Sequence, residues 1–439
     1  MLFLFYLVSM KKGIYLALVC TLCLSVKCIA QTDTVLFVKE AIKSNRAKTY
    51  NNIINNSITK NLSLSLNDST EENWQDAFYA MELINYKAPW VDVKIKIAFD
   101  SIEKRSTGFQ RALLELLYSN YTTACKSHVN KLLLSTTNAK IFAMCAEYLL
   151  RADRSKKNIT TISKIALYKR DKYFVNDESS AFIVSELVWP LMPQYKPESA
   201  SVKLRLDALL NQHFLKGNSV IYSIQRKNRN YPGIAIVRDK NGNFITDDKG
   251  NLFSVPQLAR SITNLSGYLT NGNTPQGIFR MNGFEVSKSN AIGPTENIQL
   301  MMPFETSIRN FLKDSVLTDT AWTTTLYERL LPDNLKNDHP LLETFYASAI
   351  GRTEIIAHGT TVDPEYYKGQ FYYPLTPTQG CLCTKEIWSQ TDGQRSESNQ
   401  QKLVDALKKA GGADGYCIVI EIDNQQKPVS IHEILPYIK

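Results

Sequence analysis

The apolar pattern of the chain changes near residue 215, and this change constrains the fold more than any other sequence feature. From about 72 to 215, apolar residues recur at intervals of three and four, as at Phe109, Ala112, Leu113 and Leu116, which is typical of amphipathic helices. Later runs such as Ser219 to Gln225 are short and β-branched, as in strands. The switch predicts an α+β protein, with an all-helical domain at 31–215 followed by a β-rich domain at 216–439.

Short polar breaks separate the helical stretches. Ser135 to Asn138 and Ser155 to Asn158 offer side chains that cap helix N-termini, so we expect an antiparallel helical array. In the second half, Asp239 to Asn243 is a hairpin turn signal, and Ser254-Val255-Pro256 predicts a helix start. The remaining expectations are helices at 305–313, 320–331, 339–350 and 400–410, strands at 219–225, 233–238 and 354–357, and a closing hairpin of 416–422 with 429–435.

The first thirty residues resemble a secretion signal. Lys11 and Lys12 precede an apolar stretch from Ile14 to Val26, and Cys28-Ile29-Ala30 is a small-x-small cleavage site. We therefore expect residues 1–30 to be a signal peptide and the protein to be exported to the periplasm or cell envelope. No later stretch is long and apolar enough to predict a membrane span.

Composition excludes several classes of function. With 44% apolar and 21% charged residues the chain is typical of globular proteins and not of disordered or collagenous ones. The net charge is +9, yet the basic residues are not clustered and no base-stacking motif is present, so we expect no nucleic-acid partner. The excess of basic residues in 31–215 fits either an anionic partner, such as a cell-wall polymer, or an ordinary solvated surface.

Five of the eight cysteines lie after the predicted signal: Cys125, Cys145, Cys381, Cys383 and Cys417. An odd number in an oxidising compartment leaves at least one thiol unpaired within the chain. Two disulfides, Cys125 with Cys145 and Cys383 with Cys417, are a hypothesis that the sequence leaves open.

The residues most able to carry chemistry lie between Arg352 and Trp388. His358 follows a predicted strand, and Cys381 lies about twenty residues later, after Gly380. A cysteine nucleophile needs a base, and a glycine before it lets successive backbone N–H groups converge on an oxyanion. The alternative is a buried cysteine with a packed histidine. A zinc site with Cys383 would need a fourth ligand, which the sequence does not offer at suitable spacing.

Three short motifs carry a resemblance to a known family. His358-Gly359-Thr360, Thr378-Gln379-Gly380-Cys381-Leu382 and the upstream Asn273 to Phe279 are similar to the catalytic domain of L,D-transpeptidases, the YkuD-type family. The match covers roughly 216–439 at best and is confined to these motifs. The resemblance implies a β-rich, L,D-transpeptidase-like domain with helical insertions that uses no cofactor and no metal.

The resemblance also implies roles for individual residues. Cys381 would be the nucleophile and His358 its base, with the Gly359 carbonyl orienting the imidazole. Backbone N–H groups of Gln379, Gly380 and Cys381 would hold the oxyanion. Thr274 to Gly277 would be a structural turn near the site. Substrate contacts are expected from Thr378 and Cys383, and from the loop tyrosines Tyr366, Tyr367, Tyr372 and Tyr373. The alternative for these tyrosines is that they only pack within the strand and loop structure.

Three departures from the family pattern affect the assignment. Gln379 stands where the family usually has His, Cys383 stands where it has Arg or Asn, and the interval from Gly277 to His358 is long. The expected function is a peptidoglycan-modifying cysteine acyltransferase acting on stem peptides, with the helical domain positioning it or binding an envelope protein partner. The alternatives are an L,D-carboxypeptidase or endopeptidase, or a non-catalytic peptidoglycan-binding scaffold.

Overall fold

A computed structural model describes residues 36–100, 102–192, 194 and 197–438. The predicted signal peptide lies outside the described residues. Residues from 36 onward form one compact unit, and the unit mixes helix and sheet. Among the described residues, no helix combines the length and the hydrophobicity needed to cross a bilayer.

The first half of the unit is helical. Side-chain caps begin two of the helices as the sequence predicts, because Asn138 accepts a hydrogen bond from the Ile141 amide and Ser155 from the Asn158 amide. Two π-helical segments, Ile53–Lys60 and Arg170–Phe174, continue α1 and α8. The helices are α1 Lys43–Asn52, α2 Asn61–Ser63, α3 Glu71–Leu83, α4 Pro89–Phe99, α5 Thr107–Asn120, α6 Lys126–Ser135, α7 Ala139–Ala152, α8 Lys156–Lys169, α9 Glu178–Val188 and α10 Val202–Leu209.

The second half is a barrel with helices packed on it. The strands are β1 Val220–Gln225, β2 Gly233–Arg238, β3 Val255–Leu258, β4 Gly277–Glu285, β5 Asn297–Met301, β6 Ile356–His358, β7 Leu382–Thr384, β8 Glu386–Trp388, β9 Arg395–Ser398 and β10 Tyr416–Glu421. The later helices are α11 Ile308–Leu312, α12 Thr324–Glu328, α13 His339–Ala349 and α14 Asn399–Lys409. The strand and helix expectations between 219 and 238 and between 305 and 410 are therefore confirmed within a few residues.

The barrel closes in the order β1-β10-β4-β5-β6-β7-β3-β2. The β1–β10 and β6–β7 pairs are parallel and the others are antiparallel. One apolar cluster joins inward residues such as Ala357 and Leu382 to α14, and a second joins β1 and β10 to α10, α12 and α13. The core of the helical half also takes in Leu265, Leu269 and Ile350 from the barrel half, so the two halves share apolar packing.

Two expectations about secondary structure are wrong. Val255-Pro256 begins strand β3 and not a helix. Pro256 pairs with Ile234 of β2 and precedes the two residues that pair with β7, so it lies near the start of the strand, where proline is tolerated. The predicted closing hairpin does not form either, because β10 is occupied on one edge by β1 and on the other by β4. Residues 431–437 instead form two short 3-10 turns.

Candidate functional site

The barrel brings His358 and Cys381 to neighbouring parallel strands. His358 ends β6 and pairs with Cys383, Ala357 pairs with Leu382, and Cys381 immediately precedes β7. Because side chains alternate along a strand, His358 and Cys381 share a face opposite to the core-facing Ala357. Strand spacing and rise place their Cα atoms about 8 Å apart. Among the described residues no hydrogen bond joins the two side chains, since Cys381 Sγ contacts the Ile356 amide and the Glu354 carbonyl instead.

The backbone fixes the ring of His358. Its Nδ1 donates to the carbonyl oxygen of Gly359, which leaves Nε2 as the proton acceptor. Burial lowers the pKa of His358 to about 4, although the Gly359 hydrogen bond opposes this shift. The imidazole is therefore neutral at pH 7 and able to take up a proton.

The Cys381 side chain is partly exposed and held by backbone groups. Its Sγ accepts the Ile356 amide at 3.5 Å and donates to the Glu354 carbonyl at 3.6 Å. Burial raises the pKa of Cys381, while the Ile356 amide and the Arg352 charge oppose the shift. The resting side chain is thus a thiol at neutral pH, and reaction would require removal of its proton as the new bond forms.

The loop before Cys381 is closed by threonine side chains. Thr378 Oγ1 accepts the Gly380 amide at 3.0 Å and donates to the Cys381 carbonyl at 3.0 Å. Thr274 Oγ1 donates to the Gly380 carbonyl at 2.8 Å, which places its turn beside the loop. Of the three amides suggested for the oxyanion, that of Gly380 is therefore engaged. The amides of Gln379 and Cys381 have no acceptor among the described residues.

Arg352 packs beside this loop and holds the neighbouring 267–273 segment by hydrogen bonds, a role that the sequence did not suggest. Its buried guanidinium donates to the carbonyls of Gly267, Gly272 and Asn273. A Cβ at Gly380 would lie 2.1 Å from Nη2 of Arg352, and Gly380 has φ +115°. Glycine is therefore required there both by its backbone conformation and by the contact with Arg352.

A second buried side chain, that of Glu386, lies directly against Gly359, next to His358. A Cβ at Gly359 would lie 2.1 Å from Glu386 Oε2. The other oxygen of this buried carboxyl accepts the Thr295 and Ser398 hydroxyls, each at 2.6 Å, and burial raises its pKa. Glu386 thus fixes the position of Gly359, whose carbonyl orients His358. No motif marks either Glu386 or Arg352, since both act across long sequence separations.

Some of the predicted substrate-binding residues are buried and others are accessible to solvent. Tyr367, Tyr372 and Cys383 are buried. Tyr367 donates its hydroxyl to the Leu83 carbonyl at 2.9 Å, which ties the loop to the end of α3. Such packing leaves these three side chains little surface for a substrate.

The other predicted contacts are more accessible. Tyr366 lines a groove of about 630 Å³ with Arg46 and Tyr50. Tyr373 is exposed and donates its hydroxyl to Glu365 at 2.7 Å. Thr378 is partly buried in the cysteine loop. Contact of these residues with a substrate stays a prediction.

The five cysteines of the described residues are all thiols, so neither hypothesised disulfide is formed. Cys125, Cys145, Cys383 and Cys417 are buried, and Cys381 alone among the five is partly exposed. Within the described ranges, no group of three or more His, Cys, Asp or Glu side chains is placed to hold a metal ion.

Comparison with known proteins adds no relative. Neither protein-family models, nor curated proteins, nor solved structures give a significant match to the chain. The resemblance to L,D-transpeptidases therefore rests on the three sequence motifs alone.

Proposed function

We propose that the chain is an exported, peptidoglycan-modifying cysteine acyltransferase of the L,D-transpeptidase-like kind. The observation that supports this most is the geometry of His358 and Cys381. They share one face of adjacent parallel strands, with Nδ1 of the histidine engaged by the Gly359 carbonyl and Nε2 left to accept a proton. A cysteine nucleophile and its base act through a hydrogen bond, so the proposal requires the Cys381 side chain to turn from the Glu354 carbonyl towards Nε2 of His358.

The two side chains would act in sequence. Nε2 of neutral His358 takes the Cys381 proton as Sγ attacks a stem-peptide carbonyl, because the pKa shifts of both groups disfavour a resting thiolate–imidazolium pair. The resulting imidazolium protonates the departing amine, and a thioester remains. An acceptor amine then attacks the thioester, gives up a proton to His358 and releases the Cys381 thiol.

The free amides near the nucleophile fit this chemistry. N–H groups of Gln379 and Cys381 lie on either side of Gly380, and two donors are enough to stabilise an oxyanion. Thr274 holds the loop that carries them by its hydrogen bond to the Gly380 carbonyl, and Arg352 packs against Gly380. In this proposal the barrel half is the L,D-transpeptidase-like domain, and its intervening helices, α11 to α13, are insertions. The helical half positions it in the cell envelope or binds an envelope protein.

The proposal is tested with purified mature protein, disaccharide-tetrapeptide muropeptides and an amine acceptor, with products separated and identified by mass. Cross-linked or acceptor-exchanged product that disappears in Cys381→Ala and persists in Cys417→Ala supports it. Cys417 is a matched control because it is a buried barrel cysteine away from the loop. Trimmed stems without exchange would instead identify a hydrolase.

A non-catalytic scaffold is the second candidate, favoured by the raised pKa of Cys381 and its hydrogen bond to the Glu354 carbonyl. An unreactive thiol of this kind would suit a protein that binds peptidoglycan without modifying it. Absence of any product from folded protein, combined with its sedimentation with purified peptidoglycan, would support the scaffold over the enzyme.

A further inference from the structure

A cavity of about 480 Å³ lies between the helical half and the barrel, apart from Cys381 and His358. This volume is in the range of small-molecule sites. The helical wall contributes Glu147 and Glu186, and the barrel wall contributes Lys227, Arg229 and Glu421. Acidic and basic side chains therefore line the same cavity.

Two carboxyl groups that line the cavity, those of Glu147 and Glu343, have no ion-pair partner among the described residues. Glu147 accepts the Ser266 hydroxyl at 2.7 Å and the Tyr268 hydroxyl at 3.1 Å. Glu343 accepts both the amide and the side chain of Gln276, at 3.0 and 2.9 Å. Neither has an Arg or Lys partner among the described residues, so an ammonium group would find uncompensated negative charge here.

The raised pKa values of these carboxyl groups also favour a cationic ligand. Burial and the neighbouring Glu421 raise the pKa of Glu343 to about 7, and burial also raises the pKa of Glu147. A bound cation would offset this cost by favouring the ionised forms.

The barrel wall carries cationic groups with unused hydrogen-bonding capacity. Arg229 is 4% exposed, and its Nε and Nη2 both donate to Glu421, at 3.1 and 2.9 Å. Its buried Nη1 has no hydrogen-bond partner in the described part of the chain. Lys227, at the rim, is exposed and forms no ion pair with any described residue. An unpartnered buried guanidinium N–H is costly and indicates a missing acceptor.

We propose that this cavity binds a small zwitterion, an amino acid or short peptide with free ends. Its ammonium group lies beside Glu147 and Glu186 on the helical wall, and its carboxylate is held by Arg229 and Lys227 on the barrel wall. The proposal does not depend on the cysteine chemistry. Binding is therefore expected to be the same in Cys381→Ala as in the unaltered protein.

The test is isothermal titration of the mature chain with alanyl-alanine, N-acetyl-alanyl-alanine and alanyl-alanine amide. Loss of one charged contact should weaken binding about tenfold or more, so each blocked derivative should bind correspondingly less well than the free dipeptide. Equal binding of all three probes, or binding of none of them, would overturn the proposal.

Two variants identify which end of the ligand each wall holds. Glu147→Gln keeps the oxygen that accepts both hydroxyls and removes only the charge, so it should weaken alanyl-alanine but not its N-acetyl derivative. Lys227→Met should weaken alanyl-alanine but not its amide. Glu103→Gln and Lys249→Met are matched controls at exposed positions. Wild-type affinities in both cavity variants would refute the assignment.

Discussion

Replacement of Gly380 by alanine tests the support of the cysteine loop. Gly380 has φ +115°, and a non-glycine residue with such a backbone costs about 1–3 kcal/mol. The added Cβ would also lie 2.1 Å from Arg352 Nη2 and 2.6 Å from the Gly272 carbonyl, against about 3.5–4.0 Å for ordinary contacts. Arg352 must move, at the expense of at least one charged hydrogen bond of about 1.5–3 kcal/mol.

Gly380→Ala should therefore lower the unfolding free energy by about 2.5–6 kcal/mol, the sum of the backbone cost and the lost hydrogen bond. Gly369→Ala is the matched control, because Gly369 also has a positive φ, +88°, but its Cβ would meet no atom within 4 Å. It should lose only the backbone term, about 1–3 kcal/mol. Urea unfolding followed by fluorescence and circular dichroism measures both.

A double-mutant cycle isolates the contact. In an Arg352→Met background the guanidinium is gone and only the approach to the Gly272 carbonyl remains, so Gly380→Ala should cost about 1.5–3 kcal/mol less than in the unaltered protein. Equal destabilisation by the two glycine substitutions in the unaltered protein would refute the reasoning. So would a cost at Gly380 that Arg352→Met leaves unchanged.

Three further predictions concern protonation and buried hydrogen bonds. Alkylation of Cys381 by iodoacetamide should rise with pH up to at least pH 9, because burial raises the thiol pKa; a plateau below pH 8 would indicate a resting thiolate. The unfolded chain protonates His358 near pH 6.5 and the folded protein only near pH 4. The protein should therefore lose up to about 3 kcal/mol of stability, relative to His358→Gln, as pH falls between these values; parallel stability curves of the two proteins would contradict this. Tyr327→Phe should cost about 1–3 kcal/mol in urea unfolding, since the hydroxyl accepts the buried Ile278 amide at 2.7 Å and donates to the Leu341 carbonyl at 2.9 Å; an unchanged midpoint would argue against these bonds.

Local sequence signals predicted the elements that depend on local interactions. Asn138 and Ser155 cap helices as expected, and the β-branched runs at 220–225 and 233–238 are strands. These features need only the periodicity of side chains and the hydrogen bonds of nearby backbone groups.

The errors occur where distant strands decide the outcome. Residues 429–435 could have formed a hairpin with β10 if β1 and β4 had not already occupied both of its edges. Pro256 indicates a helix start by local rules, yet β2 and β7 draw its segment into the barrel. Tertiary pairing overrides propensity in both cases.

In the candidate site, too, local motifs could be predicted from the sequence and contacts between distant segments could not. His358, Gly359 and Cys381 were recognisable because they lie in compact motifs. Arg352 and Glu386 were not, since their partners are carbonyls and glycines many residues away whose closeness depends on the closed barrel. Only the Thr274 turn, through its Thr-Pro-x-Gly pattern, gave a sequence signal for a part that supports the cysteine loop.

The central claim is that Cys381 forms a thioester with a stem peptide, and acid-quenched intact-mass measurement tests it most directly. The mature protein is incubated with disaccharide-tetrapeptide without an acceptor, beside Cys381→Ala and Cys383→Ser. We predict an acyl adduct in the unaltered protein and in Cys383→Ser that is absent from Cys381→Ala and is lost when an amine is added. An adduct that persists in Cys381→Ala, or folded protein that forms none, would contradict the account.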